Sequence, residues 1–218
     1  LTLFTGHNTG FDVESSAAAR SRTGDALEPE ESAQTELGIR YSADEFRGSL
    51  ALFRIERLNA LTTDPVDSDF SVNSGEQRVD GVELEGSWQF NSALQLQAGY
   101  AWMDGEITES NDGDRGNTLG DLARHRLNFS ANWQYNNDWS AFVRANYSSG
   151  RPLITGSAWQ LDAYRLIGTG LRYQQTAWSA QLAVNNLLDE LYYTASGNGF
   201  VVYPGEPQQL SLQLMWQW

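Results

Sequence analysis

The sequence predicts an all-β fold, a transmembrane antiparallel β-barrel meander of about ten strands by the criterion of short alternating runs bounded by turn residues. Three observations predict it: segments that alternate apolar and polar residues, connections that alternate between short and long, and aromatic rings gathered beside the short connections. Successive side chains of a strand point to opposite faces, so a strand lying between two solvents sorts its residues by parity.

Taken in order, the expected strands cover 1–5, 33–42, 46–58, 76–90, 93–104, 123–135, 138–148, 162–174, 177–187 and 208–218. In the fourth, Val82, Leu84, Gly86, Trp88 and Phe90 share one face and Glu83, Glu85, Ser87 and Gln89 the other. In the fifth, Leu94, Leu96, Ala98, Tyr100 and Trp102 oppose Gln95, Gln97 and Gly99. The sixth sets Leu127, Phe129, Ala131, Trp133 and Tyr135 against Arg126, Asn128, Ser130, Asn132 and Gln134. The third, FRGSLALFRIER, mixes apolar and charged residues at both parities, so a bulge is expected to shift its register. The last, LSLQLMWQW, places Leu210, Leu212, Leu214, Trp216 and Trp218 on one face.

Connections at 6–32, 59–75, 105–122, 149–161 and 188–207 are long, and SADE, NS at 91, NN at 136 and QQT at 174 are short. In a meander, successive connections fall on opposite rims, so one rim carries every tight turn and the other every long loop, as in outer-membrane barrels. Rings flank the tight rim: Tyr41 with Phe46, Trp88 with Phe90, Trp133 and Tyr135 with Trp139, and Tyr173 with Trp178, while Trp216 and Trp218 reach that level from the last strand. This is the expected interfacial girdle.

Composition agrees. The chain has 218 residues, a net charge of -14, a mean hydropathy of -0.47, and aromatics at 12%, including eight Trp and nine Tyr. No stretch approaches the roughly 20 apolar residues of a spanning helix, but barrel strands are half polar and escape hydropathy. Without cysteine there is no disulfide framework. The 28 acids against 14 basic residues argue against nucleic acid, which requires clustered cations. Leu1 is not an initiator methionine, and LTLF reads as a strand cut in its middle rather than a leader.

LEPEES at 27, ELGIRY at 36, GSLALFRIERLNA at 48, SGEQRVDGVELEG at 74, NLLDELYY at 186 and YPGEPQQLSLQLMW at 203 together resemble the carboxyl-terminal barrel half of TonB-dependent siderophore receptors. Val79 and Asp80 stand where members often carry a small residue and an arginine, and Gln208 follows GEP where a basic residue is common. The resemblance implies that residues 1–218 are the carboxyl-terminal part of a plugged 22-stranded barrel. The plug and the energy-coupling region lie outside this sequence. It implies a ferric siderophore or similar chelate as ligand, and coupling to the TonB complex through the missing amino-terminal region. Outer-membrane lipid and lipopolysaccharide surround such a barrel, and the terminal aromatic Trp218 resembles the signal read by the barrel assembly machinery. The other architecture left open is a small closed ten-stranded barrel acting as an adhesin, pore or rim hydrolase, in which the first and last strands would pair.

By parity Glu36, Arg40, Glu83, Glu85, Arg126, Arg144 and Arg172 point to the lumen. Arg115, Arg151, Tyr192, Tyr193 and Phe200 lie in or beside the long loops, where guanidinium groups and rings suit anionic or catechol-bearing chelates. The loop DGEITESNDGDRGNTLGD contains DGD but lacks the twelfth-position Glu of a calcium loop. Asp121 and His125 are conceivable as an acid-base pair, yet no nucleophile is placed beside them. The residues therefore assign no catalytic site, metal site or cofactor.

Overall fold

The computed structural model describes residues 1–12, 20–195 and 201–216. With strands numbered in chain order, ten form one antiparallel sheet: β1 (Thr2–Asp12), β2 (Glu30–Ser42), β3 (Phe46–Thr63), β4 (Ser71–Gln89), β5 (Leu94–Glu109), β6 (His125–Gln134), β7 (Trp139–Ser148), β10 (Tyr164–Gln174), β11 (Trp178–Asn185) and β14 (Gln209–Trp216). Each pairs with the next in that order. Two small hairpins ride on the long loops, β8 (Arg151–Pro152) with β9 (Gln160–Leu161) and β12 (Tyr193–Ala195) with β13 (Val202–Pro204).

Two of the four tight turns are built by asparagine. Asn91 Oδ1 accepts from the backbone N–H groups of Ala93 and Leu94 at 2.8 and 2.9 Å, and Asn136 Oδ1 accepts from those of Asp138 and Trp139, both at 2.9 Å. Such side-chain turns reverse the chain in few residues and set the register of the strands they join.

Across the sheet, cross-strand partners share a face. One row runs Leu3, Ile39, Leu50, Leu84, Tyr100, Leu127 and Tyr147, and a lower one Phe46, Trp88, Leu96, Ala131, Val143, Thr169, Val184 and Leu210. This face is open: Leu3 is 73% exposed, Leu37 58%, Leu84 51% and Leu212 65%. A continuous apolar surface of that kind needs an apolar solvent or a partner. Its height fits hydrocarbon. Phe46 to Arg54, Trp88 to Asp80, Trp133 to His125 and Tyr173 to Arg165 each span nine residues from aromatic ring to polar side chain, within the roughly 9–11 residues of a tilted transmembrane strand.

Above that height the same face turns charged. Arg54 pairs with Asp80 at 2.7 Å, Arg78 with Asp80 at 3.2 Å and Glu106 at 2.5 Å, and Arg124 with Asp104 at 2.6 Å. The opposite face is mainly polar in the lower rows, for example Arg47, Ser87, Gln97, Ser130 and Arg144, with the rings of Phe4 and Phe142 lying under arginines.

The structure corrects four expectations. The first strand runs to Asp12 rather than ending near residue 5, and β3, β4 and β5 extend well past their expected outer ends. Outside the membrane both faces meet water, so the ladder continues while the alternation that marks it fades. The β3–β4 register is continuous from Phe46 to Arg57, and the irregularity falls at Asn59, which has a φ of 59°. FRGSLALFRIER mixes its faces for another reason: Phe53 lies on the polar side across Gly81, while Arg54 meets Asp80 on the other. Finally, the small closed barrel does not form. β1 and β14 are the two edges of an open sheet and do not pair with each other among the described residues.

At Gly81 a Cβ atom would collide with the Phe53 ring. Gly81→Val is expected to destabilise the sheet by about 1–3 kcal/mol, with most of the loss recovered by adding Phe53→Ala, as read by urea unfolding in detergent micelles.

At the outer rim Asp64, 6% exposed, accepts from the backbone N–H of Val66 at 2.8 Å and from Arg22 Nε at 3.2 Å. The Val66 bond, aided by Arg22, holds its carboxyl below the ordinary carboxylate range against the opposing effect of burial. A lowered carboxylate stabilises the fold above its ordinary pKa, about 4, and that contribution fades as pH falls through the lowered value. Amide exchange at Val66 and Asp67, corrected for intrinsic rates, should therefore stay slow at neutral pH and quicken below that range. In Asp64→Ala, which removes the acceptor, it should be fast at every pH, and in Asp64→Asn, which keeps an Oδ1 acceptor that does not titrate, it should stay slow across the range.

Candidate functional site

The long loops gather at one end of the sheet, and their described parts are sewn together. Asp121, with a φ of 54°, receives its place from its backbone N–H, which donates to Pro152 O at 2.8 Å, while the Gly120 N–H donates to Thr155 Oγ1 at 3.0 Å. These two bonds dock the 110–124 connection onto the loop that carries β8 and β9. The docking puts Asp121 Oδ1 2.6 Å from Arg151 Nε.

Arg151 is the central side chain. It is 6% exposed, its Cζ lies 5.9 Å from the centroid of the Tyr164 ring, and its Nη1 is buried without a hydrogen-bond partner. A buried guanidinium donor left free costs more than a surface one and marks a place where an acceptor fits. Tyr164 opens β10 on the polar face, in the row Arg126, Ser148 and Tyr164. Its ring lies 4.8 Å from that of Tyr192.

Tyr192 is fastened from below by the last loop. Asn186, buried and with a φ of 47°, donates to the carbonyls of Glu190 and Glu206 at 2.9 and 3.0 Å and accepts from the Glu190 N–H at 2.8 Å. The stretches NLLDELYY and YPGEPQ are thereby clasped side by side. The Gly205 N–H donates to Tyr192 O at 2.7 Å, the Glu206 N–H donates to the Tyr192 hydroxyl at 3.2 Å, and a Cβ on Gly205 would strike the Tyr192 ring. Arg151, Tyr164 and Tyr192 thus form a rigid cationic and aromatic cluster on the polar face at the outer mouth of the sheet.

The five loop residues predicted for ligand contact separate accordingly. Arg151 and Tyr192 come together through Tyr164. Tyr193 stands on β12, paired with Pro204 and 44% exposed. Arg115 forms an exposed pair with Glu109 at 3.2 Å. Phe200 lies outside the described residues, as does Trp218. Sequence reasoning missed Tyr164 and Asp121 as partners of Arg151, although the parity of YRLIGTGLRY places Tyr164 on the same face as Arg172.

The other candidates are placed as follows. Glu36, Arg40, Glu83, Glu85, Arg126, Arg144 and Arg172 share the polar face. Arg40 stacks 4.2 Å over Phe4 and Arg144 4.9 Å over Phe142. The rim rings touch in sequence: Tyr41 and Phe46 at 6.2 Å, Trp88 and Phe90 at 4.9 Å, Trp133 and Tyr135 at 5.4 Å, Trp139 and Tyr173 at 4.7 Å, Tyr173 and Trp178 at 5.4 Å, and Trp178 and Trp216 at 6.2 Å between centroids. Asp121 and His125 go separate ways, the first to Arg151 and the second to the Tyr100 hydroxyl at 2.9 Å. In the acidic loop, Asp112 accepts from the Thr63 N–H at 3.0 Å, and no three metal-binding side chains converge among the described residues.

An open antiparallel meander with one lipid-facing side, one polar side and elaborate loops on a single rim is the wall of a transmembrane barrel. The family described as TonB dependent receptor-like, beta-barrel, matches residues 1–187, and the chain belongs to it. This places the chain in the outer membrane.

The metal-pseudopaline receptor CntO of Pseudomonas aeruginosa is 32% identical over 200 residues, covering 88% of this chain and 28% of the relative. The ferrichrome receptor FcuA of Yersinia enterocolitica is 26% identical, covering 84% and 25%. Among solved structures, the siderophore receptor PiuA of Acinetobacter baumannii superposes with a TM-score of 0.84 at 20% identity, over 97% of this chain and 33% of that one. The chain therefore spans a third or less of the length of these relatives.

Replacing Asp121 by Ala strips the buried Arg151 of its carboxylate. The expected loss is about 1–3 kcal/mol, together with faster protease cleavage between Leu153 and Trp159, measured on the receptor in detergent.

Proposed function

We propose that this chain is the carboxyl-terminal part of the barrel of an outer-membrane receptor that takes up a ferric siderophore or similar metal chelate. The observation that carries the reading is the Arg151, Tyr164 and Tyr192 cluster on a wall that belongs to the TonB-dependent receptor family. A guanidinium with a free buried donor beside a pair of phenol rings suits a ligand that is anionic and aromatic or hydroxamate-rich, through charge-assisted bonds and ring stacking. Relatives named as receptors for pseudopaline, ferrichrome and ferrioxamine B support a chelate as cargo.

In this reading residues 1–218 supply strands of a larger barrel, 22 in all. A plug and the TonB-coupling region come from chain outside this segment. The open edges at β1 and β14 support that arrangement, because an unpaired edge in hydrocarbon leaves backbone groups without partners. The ring-lined rim sits at the periplasmic interface. The charged rows of Arg54, Asp80, Arg78 and Glu106 lie at the height of lipopolysaccharide headgroups, and the terminal Trp218 serves recognition by the barrel assembly machinery. Arg115, Tyr193 and Phe200 belong to the surrounding loops and contribute to ligand capture less directly than the cluster.

The test is iron-limited growth and uptake of ⁵⁵Fe in cells whose only chelate receptor is the complete protein. Uptake of ferric citrate, ferrichrome or ferrioxamine B is expected to require an energised inner membrane. Arg151→Gln with Tyr164→Ala should weaken chelate binding roughly tenfold, about 1.4 kcal/mol. Uptake of none of these chelates, with the protein correctly inserted, would overturn the reading.

A further inference from the structure

All fourteen basic side chains of this sequence are arginines, and apart from Arg20 in the first loop and Arg165 at the outer end of the apolar face they fall into two groups. Arg22, Arg54, Arg57, Arg78, Arg115, Arg124 and Arg151 each meet a carboxylate, and all seven lie at the outer end of the sheet or in its loops. The arginines lower on the polar face, Arg40, Arg47, Arg126, Arg144 and Arg172, form no ion pair among the described residues.

Register explains why acids on the same face do not neutralise them. Glu83 and Arg126 share a row but stand on either side of Ala101, and Arg40 and Glu85 stand on either side of Ser49. Two strand spacings hold each pair roughly 10 Å apart at the backbone. All three lower acids, Glu36, Glu83 and Glu85, lie on β2 and β4, whereas β6, β7 and β10 carry on this face only arginine among charged residues. The polar face is thus split into a mixed half and a cationic half.

The cationic half has a regular geometry. Arg126 lies opposite Ser148, four residues along β7 from Arg144; Arg144 lies opposite Gly168, four residues along β10 from Arg172. Each step moves one strand sideways and four residues down, roughly 14 Å. The three arginines descend from the row of Tyr164, at the mouth cluster, to the tight-turn rim. Asn128, Ser130, Asn132, Asn146 and Gln181 lie on the same face between and around them. Arg172 Nε is buried without a hydrogen-bond partner, a second free donor besides Arg151 Nη1 at the mouth.

We propose that Arg126, Arg144 and Arg172 form a cationic track along the barrel wall that hands an anionic metal chelate from the mouth cluster to the periplasmic rim. The inference rests on the receptor reading and specifies the charge of its cargo and the residues that steer it. Successive guanidinium groups at one chelate's width apart let the cargo exchange one charge-assisted contact for the next, without a carboxylate competing for either.

The segment contains no cysteine, so single cysteines can report the local potential in the full-length receptor in detergent, freed of any cysteine elsewhere. Ser130→Cys beside Arg144 and Gln181→Cys beside Arg172 are compared with Ala51→Cys beside Glu83. Each is reacted with anionic sulfonatoethyl and cationic trimethylammonioethyl methanethiosulfonate. The anionic-to-cationic rate ratio is expected to be about tenfold higher at the track positions than at Ala51→Cys. It should fall to the control value in the Arg126→Gln, Arg144→Gln, Arg172→Gln triple variant, persist in the corresponding lysine variant, and shrink in high salt.

Equal ratios at track and control positions overturn the proposal, as does a ratio indifferent to the arginines. Absence of labelling along the track also overturns it, because the arginines would then be covered by another part of the receptor. In cells, the glutamine triple should slow import of ⁵⁵Fe-citrate at least fivefold while leaving its surface binding within twofold. Import of only the cationic ferrioxamine B would sink the track while leaving the receptor reading intact. Failure of all import with normal labelling ratios would fault the receptor reading instead.

Discussion

The interstrand ladder governs everything else in this protein. Nine cross-strand registers run through the main sheet, with irregularities only near Asn59 and Glu76. Because side chains alternate, a slip of one residue would turn the leucines of an entire strand inward and its arginines into hydrocarbon. No buried centre competes with that constraint: among the described residues no large side chain is fully buried, and the few buried apolar residues, such as Ile107, Ala123 and Leu161, lie at or near the outer loops. Stability rests on backbone pairing and on the surrounding lipid rather than on a packed interior.

The same ladder distributes charge. Outside the hydrocarbon height, arginines and acids on neighbouring strands sit opposite one another and close, as Arg54 does on Asp80. Within it, on the polar face, small residues separate them, as Ala101 separates Glu83 from Arg126. A paired wall would be electrostatically silent; a wall with separated charges presents a field to whatever fills the lumen. Loop architecture follows a parallel logic. Backbone bonds from Asp121 and Gly120, and the Asn186 clasp, hold Arg151 and Tyr192 in fixed positions over Tyr164, so the mouth of the wall is preorganised.

Much of this was legible residue by residue. The alternation in VELEGSWQF and LQLQAGYAW marks faces that the Leu84–Tyr100 pairing reproduces, and two of the tight connections named the asparagines that build their turns. Legibility failed where its physical basis ended. Past Leu52 and Val82 both sides of a strand meet water, so the extensions of β3, β4 and β5 carry no two-solvent signature. FRGSLALFRIER looked irregular because a ring-over-glycine contact, Phe53 on Gly81, puts an apolar residue on the polar side. That partner lies 28 positions away, and no local pattern announces it.

The sequence by itself determined the strand count, the two faces and the rim that carries the tight turns, because each is encoded in local periodicity and in the lengths of the connections, while stretches such as NLLDELYY and YPGEPQQLSLQLMW carried the resemblance to the receptor family. Only the tertiary structure decided that Arg151 meets Asp121 and Tyr164, that Tyr192 is locked by Gly205 and Glu206, and that the edges at β1 and β14 stay apart. Those outcomes depend on the register of distant strands and on loops docking across them, and such geometry exists only once the sheet is assembled.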